Sequence, residues 1–553
     1  TSASTMAAAD RISALPNDVL VRILSFAPTN EAAATTLLSR RWRSVWRRTS
    51  AVNLDSRPYA KAERDLYYGT PTLEDFFDDA HDILAALRQP RKGSRRRRHG
   101  AGLKTLKLFL EEGAYYISKS WRTEGHEAEP GHRVAKLLAD PAVARLEELS
   151  IGCGQGHTRE YRYFPPLASL PCAATLRVLE LTNCNLEPPS TVPSSGLAFP
   201  CMTDLTLRNC FFLEGYLQDM VDAAAALTSM TLVNVRQKAA ETPGSDERFY
   251  EWDYFRLPLR LRCPTVTALV LVTFVDKKEI KASAAGCSGI ELDMPSLRFF
   301  RFQGYPVKLS LISPAPGLTR VDFDVAHRHQ GGCEIMNYEP LSCMITSFST
   351  TRALKVRLSF IEDIVADEDG DAGVILPMFP NLKLLELDGE YQYMNSDTAA
   401  ATARLLRSCP VMSELRLRLA MRYNYWYDRK HKDPVGGPFG ESMDRFERLA
   451  CRSSAVDLGG VSELPDPLTN NCAFRCLQTS LRKVTLRFKA KEVNCFPVQL
   501  AKFLAENAMV LEEMHVEDGN QFWTDHLCHK VGMWRAESFR RKNLPDTAAG
   551  FRV

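Results

Sequence analysis

Across residues 15–46, LPNDVLVRILSFAPTNEAAATTLLSRRWRSVW, apolar positions return at helical spacing. Val19, Leu20, Ile23 and Leu24 follow a proline suited to a first turn and predict a short amphipathic helix. Pro28 ends it, and Asn30 is placed to cap the next. Ala33, Leu37, Leu38, Trp42, Val45 and Trp46 continue an apolar face through a second helical stretch, so two or three small helices are expected. About 40 residues bury too little apolar surface for independent stability, so the Leu, Ile and Trp positions left outside should meet another chain.

Beyond residue 100 the pattern changes to that of strands, and one form returns: apolar-x-x-apolar-x-apolar. It reads LKTLKL at 103, LEELSI at 146, LRVLEL at 176, MTDLTL at 202, LTSMTL at 227 and VTALVL at 266. It continues as LRFFRF at 297, LTRVDF at 318, LKLLEL at 382, MSELRL at 412, LRKVTL at 481 and LEEMHV at 511. One such hexamer is any half-buried strand, but the series is the strand of a leucine-rich repeat. The endings LELTNC at Cys184 and LTLRNC at Cys210 match the asparagine or cysteine turn of that repeat. A repeat cannot bury its own apolar face, so neighbours stack into one core with a parallel strand sheet along a concave binding face. The spacing is uneven and no unit is legible from 412 to 481, so the outer side must carry insertions. RYNYWYDRKHKDPVGGPFG, inside 421–470, reads as one, with a solvated excursion as the plainer account of it.

Composition adds limits. A chain of 553 residues exceeds what a single ordinary core supports, which favours a repeat array. A net charge of +3 gives no global field toward nucleic acid or an anionic membrane. The 15 scattered cysteines read as reduced core thiols rather than a disulfide framework, and no window reaches roughly 18 apolar residues. A soluble protein of the nucleus and/or cytoplasm is expected.

Leu15-Pro16, Asp18, Leu20, Ile23-Leu24, Leu37-Leu38-Ser39-Arg40-Arg41-Trp42 and Trp46, with Val52-Asn53-Leu54-Asp55 behind them, closely resemble the F-box. The resemblance implies docking onto a Skp-type adaptor and, through it, a cullin-RING scaffold. Carried over by motif, Leu15, Pro16, Leu20, Ile23, Leu24, Leu38, Ser39, Arg41 and Trp42 are the candidate adaptor contacts. Some of these positions, Leu20 and Leu37 especially, could instead hold the helices together. The stretch CLQTSLRKVTLRFKAKEVNCFPVQLAKFLAENAMVLEEMHVEDG resembles the FBD region of plant F-box proteins. Within it Phe496, Leu500, Phe503 and Leu504 predict a helix with Asn507 near its end, and the region is expected to cap the last repeat.

Other motifs carry less. GCGQG at 152–156 does not open the helix a dinucleotide loop requires and reads as a repeat turn. His526, Cys528 and His529, with Cys472 and Cys476, lack finger spacing, so no metal is expected. RKGSRRRRHG at 91–100 reads as a linker or an import signal, with no groove-reading element beside it, and EDIVADEDGD at 362–371 as a hydrated loop.

The expected fold is therefore α/β: a three-helix F-box (10–56), a helical segment and basic linker (57–101), and a leucine-rich-repeat solenoid (102–470) with an insertion near 421–470. FBD-like repeats and a cap (471–537) and a tail (538–553) complete it. The expected role is substrate recognition for an SCF-type ubiquitin ligase, without catalytic residues or cofactors of its own. The alternative is a repeat scaffold with no ligase role. Target contacts are sought at the outward strand positions Glu180, Thr206, Arg208, Glu386, Arg416, Arg418 and Arg487. A protein target is expected, with no membrane and no nucleic acid.

Overall fold

The computed structural model describes residues 12, 14–46, 48–59, 73–88, 102–111, 130–154, 165–186, 197–238, 259–273, 289–304, 307–325, 341–364, 376–391, 396–421, 468, 474–489, 496–519, 524–542 and 551–553. The basic run at 91–100, nearly all of the insertion near 421–470 and most of the acidic stretch at 362–371 lie outside them. The chain forms two compact units, residues 1–257 with 261–266, and residues 258–260 with 267–553. Both are α/β, and a helical head precedes the repeats.

In the first unit, α1 (Asn17–Leu24), α2 (Thr29–Ala34) and α3 (Arg40–Trp46) form the head, with a 3-10 turn at Thr35–Leu37 before α3. Pro28 precedes α2, and Asn30 lies within that helix rather than capping it. The Asn30 amide donates instead to the Tyr59 hydroxyl at 3.0 Å. The repeats begin directly behind the head, earlier than the hexamers indicate. Strand β1 (Ala51–Asp55) pairs in parallel register with β2 (Thr105–Leu110), and helix α4 (Leu73–Arg88) lies between them in sequence. Asn53 is the tie: its backbone N–H donates to Thr29 Oγ1 at 2.7 Å, and its side-chain amide donates to the carbonyls of Ser25 and Ala27.

After α5 (Pro130–Leu138) come β3 (Glu148–Cys153), β4 (Val178–Thr182), β5 (Asn185–Leu186), β6 (Asp204–Arg208), β7 (Phe211–Leu213), α6 (Tyr216–Asp222), β8 (Ser229–Val233) and β9 (Arg236–Lys238). Strands β2, β3, β4, β6 and β8 add one after another in parallel, and β5, β7 and β9 make a second, smaller sheet behind the turns. Those turns explain the repeated asparagine. Asn183, Asn209 and Asn234 have φ of 57°, 51° and 49°, a left-handed conformation that asparagine tolerates better than most residues. The next residues, Cys184 and Cys210, are buried. Contacts with the Cys153 and Cys210 thiols, and then burial, push the Cys184 thiol well up, so it stays protonated in the core.

β10 (Leu259–Arg262) is divided between the two units. The second unit contains β11 (Ala268–Val272), β12 (Ile290–Asp293), β13 (Phe299–Gly304), β14 (Leu309–Leu311), β15 (Arg320–Val325), α7 (Leu341–Thr346), β16 (Ala353–Phe360), β17 (Leu384–Tyr391) and α8 (Ser396–Ser408). It ends with β18 (Glu414–Met421), α9 (Arg475–Thr479), β19 (Lys483–Phe488), α10 (Phe496–Asn507), β20 (Glu513–Asp518) and α11 (Thr524–Arg541). From β11 through β13 and then β15 to β20 the pairing is parallel throughout. All twelve hexamers begin two residues ahead of a main-sheet strand, and their apolar positions are buried. α10 covers the predicted helix, and Asn507 donates to the Phe503 carbonyl at its end.

The C-terminal end is closed by side chains and backbone together. Arg535 of α11 is buried, and its guanidinium donates to the carbonyls of Ala505 and Ala508 at the end of α10 and of Leu511 in the turn before β20. The rings of Phe539 and Phe551 lie 4.5 and 4.6 Å from it. Burial pulls its pKa down to about 10, so it remains charged at neutral pH. Arg552 bridges to Glu513, exchanging backbone hydrogen bonds with Met514 and Glu512 along the free edge of β20. The residues expected as a tail therefore contribute the last turn of α11 and this edge cover.

Candidate functional site

The head buries one side of α1 and exposes the other. Leu20, Leu24, Ala32, Trp42 and Val45 form its core, with Leu15, Val21, Ala27 and Trp46 packed against them. Arg41 fastens α3 to the start of α1, donating to Asn17 Oδ1 at 2.8 Å and to the Leu15 carbonyl. The Ser39 hydroxyl accepts from the Trp42 N–H as the cap of α3. Arg48 pairs with Asp18 at 2.8 Å.

This placement divides the candidate adaptor contacts. Ile23 and Leu38 are exposed at 44% and 68%; Pro16 and Ser39 are also exposed, and Leu15 and Arg41 are half-buried. Leu20, Leu24 and Trp42 are buried in the head's core, where their side chains hold the helices together. Leu37, considered as a core position, is instead 85% exposed. Motif matching did not single out Ile12, Val19 or Phe26, yet all three are exposed. Val19, Ile23 and Phe26 recur at i, i+4 and i+7, one helical stripe, and that spacing is the signal that finds them. Among the described residues ten large apolar side chains are exposed, and six of them are Ile12, Val19, Ile23, Phe26, Leu37 and Leu38. Such concentration of exposed apolar side chains on a small head is the kind of surface that a protein interaction face presents.

The candidate target contacts lie on the outward faces of the main-sheet strands. In the first unit Glu180 of β4 is in register with Thr206 of β6, and Arg208 reaches Glu180 at 3.4 Å. In the second unit Glu386 and Arg416 stand in register on β17 and β18 and pair at 2.9 Å. Arg418 and Arg487 stand in register on β18 and β19. The Glu414 carboxylate beside Arg416 holds that guanidinium's pKa further up.

A cavity of about 560 Å³ lies where the head meets the first repeat, lined in part by Asn30, Glu31, Asp55, Tyr59 and Asp79. The Tyr59 hydroxyl donates to Asp79 at 2.6 Å, and burial raises its pKa. Among the described residues no group of three or more His, Cys, Asp and Glu side chains is placed to hold a metal ion. No helix among them is long and apolar enough to cross a membrane.

Comparison with known proteins agrees with this division. Residues 12–50 match the F-box domain, and residues 134–242 match the LRR repeats of the FBD-associated F-box protein At5g56370. A putative F-box/FBD/LRR-repeat protein of Arabidopsis thaliana, At5g22610, is 24% identical over 428 residues, covering 74% of this chain and 71% of the relative. Another from the same plant, At3g49480, is 61% identical over 44 residues, 8% of this chain and 10% of that one. The Arabidopsis F-box protein At4g27050 is 26% identical over 229 residues, 40% of this chain and 44% of that one. The chain thus carries an F-box domain followed by leucine-rich repeats of the FBD-associated F-box type.

Proposed function

We propose that this chain recruits targets to an SCF-type cullin-RING ubiquitin ligase, its F-box docking on a Skp-type adaptor and its repeat strands holding a target protein. The observation that carries this is the exposed apolar set on the F-box head, Val19, Ile23, Phe26, Leu37 and Leu38. Apolar surface of that size on a small head favours association with a second apolar surface. The chain acts without chemistry of its own: holding target lysines near a ubiquitin thioester raises their effective concentration at the reacting carbon. The nucleus and cytoplasm, where such ligases meet soluble targets, are its proposed place of action.

The test is capture of a Skp-type adaptor and cullin by the purified chain, against an Ile23→Glu, Leu37→Glu, Leu38→Glu variant. These three side chains are exposed, so the variant should keep its circular dichroism while losing adaptor capture. Capture that persists in the folded variant moves docking to another face. Failure of the unaltered chain to capture any adaptor leaves a repeat scaffold with no ligase role.

A further inference from the structure

The strand face of the second unit is a lattice of charges in two layers. In register from β15 to β18, Asp322, Lys355, Glu386 and Arg416 make one row; Asp324, Arg357, Asp388 and Arg418 make the next. The acids lie deep, with side-chain exposures of 16% for Glu386, 23% for Asp324 and 26% for Asp388. The arginines stand out, Arg357 and Arg416 at 47% and Arg418 at 71%. The layer that meets solvent is therefore cationic even though the face as a whole is nearly balanced.

Most of these cations are committed. Arg357 holds Asp324 and Asp388 at 3.3 and 3.2 Å, and Arg416 holds Glu386 and Glu414 at 2.9 and 2.7 Å. The alternation fails at one place, where Arg418 on β18 stands opposite Arg487 on β19. Neighbouring strands lie about 5 Å apart, and like charges opposed at that distance are destabilising. Among the described residues the carboxylate nearest Arg418 is Asp388 at 4.0 Å, already engaged by Arg357. Arg487 turns the other way to Glu517, at 2.6 Å. Two residues beyond Arg487 is exposed Lys489, which has no ion pair among the described residues. Its stem runs past Gly519, where an added Cβ would come within 3.1 Å of the Lys489 side chain. Ala420, short and exposed, follows Arg418 on the same face of β18.

We propose that Arg418, Arg487 and Lys489 form the docking place for an acidic segment of the target protein, with the notch at Ala420 admitting its backbone. This rests on the reading that targets lie on the repeat strands. A cage for a single phosphate would gather buried cations around one point; here the cations are exposed and spread over two strands, an arrangement that suits successive carboxylates on an extended chain. Charge-assisted pairs with those carboxylates relieve the repulsion between Arg418 and Arg487, which gives the site its preference for acid over neutral sequence.

The probe is a short fluorescent peptide of alternating Glu and Ser, with a Gln-for-Glu counterpart, titrated with the full chain at low salt and followed by anisotropy. The Glu peptide should bind at least about tenfold more tightly than the Gln peptide, and Arg418→Ser, Arg487→Ser, Lys489→Ser together should remove that preference. Arg145→Ser, an exposed position of the first unit outside the strand face, should leave it intact. Equal binding of the two peptides, or an acid preference that survives the triple substitution, overturns the proposal. So does complete displacement by inorganic phosphate at an ionic strength where chloride displaces nothing, which marks a single-anion site. Adaptor capture is measured on the same samples: acid-selective binding without capture sinks the ligase reading and leaves this one standing, while capture without acid selectivity does the reverse.

Discussion

The head at residues 12–46 and the end at residues 496–553 face the same physical problem and answer it in opposite ways. Each is a small set of helices with more apolar surface than it can bury alone. At the C-terminal end a buried arginine satisfies three carbonyls between α10 and β20, flanked by two phenylalanine rings, and a three-residue segment covers the edge of β20. On the head, six large apolar side chains stay in solvent. An unprotected edge or apolar rim invites association, and the contrast between a covered end and a bare head is what the proposed docking on the head requires.

The contrast is sharpest within α1. Leu20→Ala should cost roughly 2–5 kcal/mol in the head, read as faster hydrogen exchange of the α1 and α3 amides, because it opens a cavity among Leu24, Trp42 and Val45. Ile23→Ala, one helical turn away, should change that exchange by no more than about 0.5 kcal/mol and still weaken adaptor capture. Equal effects of the two substitutions on exchange would erase the distinction between core and face.

At the closed end, Arg535→Leu should cost about 3 kcal/mol, since it strands three buried carbonyls and removes the cation from between Phe539 and Phe551. A lower urea midpoint for the α10–α11 region reports it, and Arg535→Lys should recover only part, lacking the planar fork. An unchanged midpoint would mean that the packing of α11 alone makes the cap. The smallest loss predicted for a buried or strained position belongs to neither end: Asn209→Ala should cost about 1 kcal/mol through its left-handed φ, and Asn209→Gly less, both read from thermal unfolding.

Much of this architecture is legible in the sequence because strand alternation is local. The hexamers place strands since each needs only its own six residues to show an apolar face. β16 escapes for a single reason: Thr351 occupies the slot that Leu, Met or Val fills in the twelve hexamers, buried, its hydroxyl donating to the Ala353 carbonyl at 3.1 Å. The division of the head is hidden differently. α1 is apolar on two sides, so Leu20 and Ile23 are equivalent in the sequence, and only the packing of Trp42 and Val45 against one side decides which is core. Arg535 reads as a solvated helix position because the carbonyls it meets come from residues 505–511 and one of its two rings from Phe551. The charge surplus at Arg418 is also beyond local reading, because Arg487 lies far along the chain and meets it only through strand register.

Asn53 links the docking surface to the repeats in a way that bears on geometry rather than affinity. It belongs to β1, a rung of the sheet, and it grips the carbonyls of Ser25 and Ala27 just past α1. The head is therefore keyed to the first repeat like a bracket bolted at two points, without a swivel. Lengthening the chain between Trp46 and Ala51 by one residue would turn the bracket against the sheet, so an adaptor could still be gripped while whatever the first repeats carry was aimed elsewhere.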